Sequence, residues 1–238
     1  MLLSLLLASA PSFDWRPLPA GEVLLGSEQG DPDEKPRRRV KIAAFQMTRS
    51  EVTVAQFEPC VLAGVCRRPR QDHAWCTWSR RHQQPQLPVN CLDWSQAMTY
   101  ARWVKAALPT EAQWEYAARA AGQDIRYPWG QAEPTCEHTV MKGCHKRPQP
   151  VCSKPKGHTP QGICDMAGNV WEWTADHYET GYQTMTSDGA ARRSKTHRRV
   201  RRGGCFNSAV DHLRNRNRAY YLKTKRYPLG FRLVSPSK

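Results

Sequence analysis

The chain has 238 residues, a formal net charge of +15 at pH 7 and nine tryptophans. This length suits one domain with a sizeable core, and no linker or internal repeat divides the chain into two. The only predominantly apolar run, residues 2–10, is far too short to cross a bilayer, so the sequence predicts a globular protein without a membrane span.

The N-terminal residues have the features of a secretory signal peptide. The apolar run ends in Ala8-Ser9-Ala10, the small-residue pattern that precedes signal-peptidase cleavage. A positively charged segment in front of it is missing, so a buried or frayed terminus is the alternative. We expect residues 1–10 to be a signal peptide, residues 14–235 to form the domain, and the protein to be a secreted or periplasmic monomer.

Two strand patterns and three helix starts follow. Residues 22–26 and 39–47 have the apolar alternation of β-strands. Helices are predicted to begin after Thr53, Asp93 and Thr110, and both threonines are followed three residues later by glutamine, the pattern of a capping box. The first helix should end near residue 64 and the second near residue 104.

After residue 122 the regular patterns give way to loops rich in proline, glycine and cysteine. Residues 199–206 and 229–234 are predicted as terminal strands. The second half of the domain is therefore expected to depend on cross-links and buried polar contacts more than on regular structure.

Nine cysteines favour an oxidising compartment. Short loops suggest four pairs and leave Cys205 alone; the pairs are Cys60–Cys66, Cys76–Cys91, Cys136–Cys144 and Cys152–Cys164. Sequence cannot establish this connectivity. The alternative for one pair is a zinc site formed by Cys136, His138, Cys144 and His145, although it lacks the Cys-x-x-Cys spacing of zinc knuckles.

Residues 164–173 read Cys-Asp-Met-Ala-Gly-Asn-Val-Trp-Glu-Trp, with two tryptophans around a glutamate just after a Gly-Asn turn. Leu-Pro-Thr-Glu-Ala-Gln-Trp-Glu-Tyr precedes them from residue 108, and Gly-Gly at 203–204 and Leu-Gly-Phe-Arg at 229–232 follow. In this order the motifs resemble the formylglycine-generating enzyme (sulfatase-modifying factor) family. The resemblance implies an α+β, C-type-lectin-like fold, loop-rich, with short strands and two or three helices.

The resemblance also implies a structural calcium site on the same segment. Its ligands would be the side chains of Asp165 and Glu172 and the backbone carbonyls of Gly168 and Val170. Calcium prefers such hard oxygen ligands. The alternative is that Glu172 is an ordinary polar partner between core tryptophans.

Family members that oxidise a sulfatase cysteine to formylglycine bind copper through two cysteines, and the resemblance places those positions at Ser208 and Leu213. A hydroxyl and an isobutyl group cannot replace two thiolates, the soft ligands suited to Cu(I). Trp171 matches the tryptophan that lines the family's pocket, in which we also expect Cys205, Ser208 and Arg218. Cys205 is a weak candidate for a catalytic thiol, since lone cysteines are more often small buried side chains.

These positions lead to two hypotheses for function. In the first, the protein is a non-oxidising binding or scaffold module that keeps the pocket and a structural calcium ion. In the second, it is a divergent oxidase that converts a sulfatase cysteine to formylglycine, with Cys205 and copper acting in a nonstandard ligand set. The replaced thiolates favour the first.

Basic residues are concentrated near the C-terminus. Residues 192–226 contain thirteen lysines and arginines and one acid, Asp211. A basic face formed by this segment would attract an anionic ligand or an acidic protein, and nucleic acid is less expected for a secreted protein. The cations are Arg192, Arg193, Lys195, Arg198, Arg199, Arg201, Arg202, Arg214, Arg216, Arg218, Lys223, Lys225 and Arg226.

Overall fold

The computed structural model describes residues 11–222 and 228–235, and the expected signal peptide at residues 1–10 lies outside them. Within this part of the chain, three short α-helices and nine short strands are joined by long loops. The helices are α1 (Val54–Leu62), α2 (Trp94–Trp103) and α3 (Glu111–Ala118). The strands are β1 (Trp15–Leu18), β2 (Gly21–Leu25), β3 (Arg38–Ile42), β4 (Phe45–Thr48), β5 (Trp171–His177), β6 (Arg198–Arg202), β7 (Arg218–Leu222), β8 (Leu229–Gly230) and β9 (Val234–Ser235).

The strands form three small sheets. β4 lies between β1 and β9, so the first and last strands belong to one sheet, and β2 pairs with β3 alone. The four-stranded sheet has the order β7-β6-β5-β8, in which β5 and β8 run parallel and the other neighbours antiparallel. This α+β architecture agrees with the fold class expected from the sequence.

All three predicted helix starts are confirmed. The Thr53 and Asp93 side chains each accept a hydrogen bond from the backbone N–H three residues later, as does Thr110. In each case the glutamine at that position bonds back to the cap residue's own N–H, so Asp93 forms a capping box with Gln96 as well. These local contacts satisfy helix N–H groups that would otherwise lack partners.

The sequence predicts one continuous strand over residues 39–47, and this prediction is wrong because two strands cover the range. The structure interrupts it at Ala43 and Ala44, because β3 pairs with β2 while β4 pairs with β1 and β9 in a different sheet. The sequence prediction also missed β1, which contains Pro17. β1 is an edge strand with no neighbouring strand on one side. A proline, which lacks an N–H group, therefore removes no inter-strand hydrogen bond on that side.

Two large apolar clusters surround these elements. One packs α1 and α2 against β5 and includes Phe57, Tyr100 and Trp173. The other packs α3 against β2, β3 and β4 and includes Trp114 and Met47. No helix in the described residues is long and apolar enough to span a membrane.

The four expected disulfides are present: Cys60–Cys66, Cys76–Cys91, Cys136–Cys144 and Cys152–Cys164. Cys205 is the unpaired cysteine among the described residues, and it is buried. The alternative zinc site is overturned, because Cys136 and Cys144 are bonded to each other.

Candidate functional site

A tight turn directly after β6 holds Cys205. Gly203 and Gly204 have φ values of 94° and 76°, a left-handed conformation that glycine adopts without a steric penalty. The Cys205 N–H donates to Ser208 Oγ at 2.9 Å, and the Ser208 N–H donates to the Cys205 carbonyl at 2.8 Å. The Ser208 hydroxyl also lies 3.6 Å from Cys205 Sγ. Ser208 therefore stabilises the turn that positions the thiol.

The Cys205 thiol is not activated by its surroundings. Its side chain is only 3% exposed. Burial raises the pKa of Cys205, although contacts with Asn207 and Ser208 and the charge of Arg201 oppose the increase. A thiol reacts as the thiolate, and a raised pKa keeps it protonated at neutral pH.

The positions that would supply two copper thiolates carry other chemistry. Leu213 is 1% exposed and packs with Tyr127 and Ala167. An ideal Cβ on Gly204 would lie 2.8 Å from Leu213 Cδ2 and 3.4 Å from Ser208 Cβ, so both side chains lie against the same turn. The donor set here is one buried thiol and one hydroxyl, which does not fit a two-thiolate Cu(I) site.

Beside this turn, β6 presents two arginines stacked on aromatic rings. The Arg201 guanidinium lies 4.2 Å from the ring centroid of Trp171 and 5.0 Å from that of Tyr221. Arg199 lies 3.6 Å from the ring centroid of Trp94. We call these five residues the cation–aromatic face. Four of them are half-buried and offer positive charge next to aromatic surface, whereas Trp171 is only 4% exposed and contributes almost no surface of its own.

The sequence predicts Arg218 in a pocket with Trp171, Cys205 and Ser208, but Arg218 instead forms a buried ion pair. It is 3% exposed, and its Nε and Nη2 donate to Glu111 Oε1 and Oε2 at 2.8 and 2.9 Å. Burial alone would raise the pKa of Glu111, but Arg218, Arg192 and Arg202 lower it to about 2. Glu111 begins α3 inside the protein, and Arg218 neutralises it there.

The predicted calcium turn is a junction of buried hydrogen bonds. Asp165, Gly168 and Asn169 all have positive φ values, which produces a compact turn. The Gly168 N–H donates to the Gly203 carbonyl at 2.8 Å, which joins this turn to the turn of Cys205. Asn169 Oδ1 accepts from the Gln149 N–H at 3.0 Å.

The acidic groups of this turn already have partners. Arg232 Nε and Nη2 donate to Glu172 Oε2 and Oε1, both at 2.7 Å, and Trp114 Nε1 donates to Oε2 at 2.8 Å. Asp165 Oδ2 accepts from the Cys152 N–H at 2.6 Å. Glu172 is therefore a polar partner within the core, as in the alternative interpretation of the sequence.

A third buried acid, Glu51, lies next to Asp165. Burial, and then the charges of Asp165 and Glu172, raise the pKa of Glu51 well above its usual value. Glu51 Oε1 accepts a hydrogen bond from Asn169 Nδ2 at 3.2 Å, and its buried Oε2 atom has no hydrogen-bond partner among the described residues. In this arrangement Arg232 occupies both oxygens of Glu172, and the calcium site expected at Asp165, Gly168, Val170 and Glu172 stays a prediction.

The expected basic face is only partly on the surface. Arg192, Arg202 and Arg218 are buried and form ion pairs with Glu111, Glu115 and Asp176. Arg214 and Arg216 pair with Asp31, Glu34 and Asp124. Lys223, Lys225 and Arg226 lie outside the described residues. The described cations at the surface are Arg193, Lys195, Arg198, Arg199 and Arg201, of which the last two are half-buried.

A polar cleft of about 840 Å³ lies elsewhere, near the loop after β2. Its lining includes Arg37, Arg214 and Arg216, but also Asp31 and Asp124, which pair with these guanidiniums. Neither Trp171 nor Cys205 lines it. Because its charges neutralise one another, this cleft offers less to an anion than the cation–aromatic face does.

Comparison with known proteins identifies the family to which this fold belongs. A model of the sulfatase-modifying factor enzyme 1-like domain matches residues 15–236. The chain belongs to this family, which confirms the resemblance seen in its motifs.

Two curated relatives have the names of enzymes. Hercynine oxygenase of Mycolicibacterium thermoresistibile is 31% identical over 215 residues, covering 76% of this chain and 48% of that protein. Formylglycine-generating enzyme of Bos taurus is 27% identical over 247 residues, covering 80% of this chain and 65% of that protein. The chain spans about half the length of the hercynine oxygenases it matches, which it covers to 48% and 44%.

Solved structures show the same fold. PvdO from Pseudomonas aeruginosa superposes with a TM-score of 0.81 at 27% identity, covering 92% of this chain and 93% of that one. Treponema denticola variable protein 1 superposes with a TM-score of 0.74 at 18% identity, covering 94% and 95%. These neighbours confirm the α+β, C-type-lectin-like fold.

Proposed function

We propose that this chain is a secreted, non-oxidising binding module of the sulfatase-modifying factor family. The observation that carries the proposal is the composition of the turn after β6. Ser208 and Leu213 stand where the family resemblance places two copper thiolates, and Cys205 is a single buried thiol whose pKa is raised. The four short-range disulfides support an oxidising compartment.

The ligand of this module is an acidic segment bound at the cation–aromatic face. Arg199 and Arg201 supply positive charge, and the rings of Trp94 and Trp171 hold both guanidiniums in place. Fixed cations on an apolar surface recognise carboxylates with little loss of side-chain entropy on binding. Exposed Arg193, Lys195 and Arg198 extend the positive field around the face.

A copper-dependent oxidation assay tests the absence of redox chemistry. The wild type, incubated with Cu(I), oxygen and a cysteine peptide of sulfatase type, is expected to give no aldehyde product by mass spectrometry. The matched variant Ser208→Cys/Leu213→Cys is expected to bind Cu(I), because both side chains lie against Gly204.

Aldehyde formation by the wild type, abolished by Cys205→Ala, would instead establish the divergent oxidase. The names of the relatives make this the second candidate. Circular dichroism of each variant controls for folding, so an inactive protein is not confused with an unfolded one.

Binding of a glutamate-rich peptide tests the ligand class. Quenching of tryptophan fluorescence is expected on titration, and affinity is expected to fall as salt rises, because screening shortens the reach of exposed charges. The variant Arg199→Gln/Arg201→Gln is expected to bind at least about tenfold more weakly. Arg39→Gln is the matched control, since Arg39 is exposed and pairs with Glu22 on another sheet. Equal affinity of the two variants would reject this face as the binding site.

A further inference from the structure

One of the four disulfides has a histidine at metal-ligand distance. The sulfurs of Cys152 and Cys164 and a ring nitrogen of His158 all lie within 4.8 Å of one another. Among the described residues, no other group of three histidine, cysteine or acidic side chains brings its ligand atoms this close. The Cys136–Cys144 loop also contains a histidine, His138, but that ring stacks on Trp129 at 4.8 Å between centroids.

The loop between the two cysteines fixes the imidazole. A single 3-10 turn at Pro155–Gly157 precedes His158, whose N–H donates to the Pro155 carbonyl at 3.2 Å. Gly157 packs so closely on the His138 carbonyl that no side chain fits there. Further on, Thr159 and Ile163 close the loop with a backbone hydrogen bond of 2.9 Å. These contacts fix the backbone that carries the imidazole, and none of them involves the disulfide.

His158 also has unused coordination capacity. Its Nε2 atom is buried and has no hydrogen-bond partner in the described residues. A buried ring nitrogen without a partner is unfavourable, and a metal ion is one of the groups that satisfies it. Two thiolates and one imidazole are the donor set of zinc and related d10 cations, with a fourth position left for water or another ligand.

We propose that Cys152, His158 and Cys164 form a binding site for Zn²⁺ when the Cys152–Cys164 disulfide is reduced. A dithiol reductant supplies two electrons and two protons: the S–S bond breaks, both cysteines become thiols, and the dithiol becomes a disulfide. Zn²⁺ then displaces the two thiol protons and is held by two thiolates and the neutral imidazole. The same loop is thus closed either by a covalent bond or by a metal ion.

The site has an access route. Cys152 is half-buried and lines a cavity of about 290 Å³ together with Arg49, Ser50 and Gln86. A reductant or ion can approach Cys152 from this side. Cys164 is fully buried, and its Sγ lies 3.3 Å from the Arg49 carbonyl.

Thiol protection in the full chain tests the proposal. The protein is reduced with a phosphine under anaerobic conditions, incubated with or without Zn²⁺, alkylated with iodoacetamide and mapped by peptide mass spectrometry. Zn²⁺ is expected to protect Cys152 and Cys164, while Cys60 and Cys66 react equally in both samples. His158→Gln is expected to weaken Zn²⁺ binding at least about tenfold, since even residues that only orient a ligand have effects of this size.

A second variant covers the case in which full reduction unfolds the chain. Cys152→His leaves the other three disulfides intact and offers Zn²⁺ one thiolate and two imidazoles without any reductant. One equivalent of Zn²⁺ is expected to bind to this oxidised variant and to protect Cys164 from alkylation. If neither the folded, reduced wild type nor this variant shows protection, or if His158→Gln binds as the wild type does, the pair is a structural disulfide only and the inference is overturned.

Discussion

Replacing Glu111 with glutamine is expected to lower the free energy of unfolding by about 3–5 kcal/mol, the range for removing one partner of a buried ion pair. Glu111 is fully buried and binds Arg218 through both oxygens, and Arg192 Nη2 lies 2.7 Å from Oε2. The neutral amide would leave guanidinium charge in the core without compensation. Urea denaturation of the wild type and the variant measures the difference.

The exposed pair of Glu22 and Arg39 provides the matched control. Its atoms are 2.9 Å apart, but the two side chains are 42% and 69% exposed. Glu22→Gln is therefore expected to change the free energy of unfolding by less than about 1 kcal/mol. A similarly small effect of Glu111→Gln would show that water reaches the buried network and screens it.

The same substitution changes how stability depends on pH. The pKa of Glu111 is lowered to about 2 in the folded protein, below its usual value of 4.5. A depressed pKa gives a stabilising contribution that is complete above pH 4.5 and is lost as the pH falls through 2. Between these limits the wild type should lose stability more steeply than Glu111→Gln, and parallel curves would contradict the assignment.

Arg232→Met is the second large effect, with an expected loss of about 3–5 kcal/mol in the free energy of unfolding. The substitution removes both guanidinium bonds from Glu172 and leaves three buried acids, Glu51, Asp165 and Glu172, without a cation. Arg39→Met is the control for losing an arginine at an exposed pair.

Adding calcium distinguishes an ion pair between Arg232 and Glu172 from the calcium site predicted from the sequence. In Arg232→Met, the oxygens of Glu172 become available, and calcium at a hundred times its dissociation constant would restore about 2.7 kcal/mol. The wild type is expected to unfold at the same temperature in calcium and in a chelator, because Arg232 already occupies Glu172. A clear increase in the wild-type unfolding temperature with calcium would contradict the geometry and support the ligand set predicted from the family resemblance.

Local signals made the helices and the disulfides predictable. Each capping box involves residues three positions apart, and the disulfides close loops of 6 to 15 residues. The motif at residues 164–173 likewise indicated the family, because its turn and tryptophans are consecutive. Such features are specified within one short stretch of chain.

The ion-pair partners of the buried arginines could not be predicted in the same way. Arg192, Arg202 and Arg218 lie in a basic run, and a run of cations normally indicates a solvated surface. Their partner Glu111 lies 81 residues before Arg192 and 107 before Arg218. The single clue was the position of Glu111 at the start of a helix with an apolar face. The cation–aromatic face was missed for the same reason, since Arg199 and Arg201 meet their rings only when β6 packs beside β5 and α2.

The sheet formed by β1, β4 and β9 brings together the points at which the described chain enters and leaves the domain. Trp15 pairs with Thr48, and Ser235 pairs with Gln46 on the other side of the same strand. Two strand spacings separate them, about 10 Å across the sheet. A domain whose two ends are this close can be inserted into a surface loop of a longer polypeptide without moving the two ends of that loop far apart.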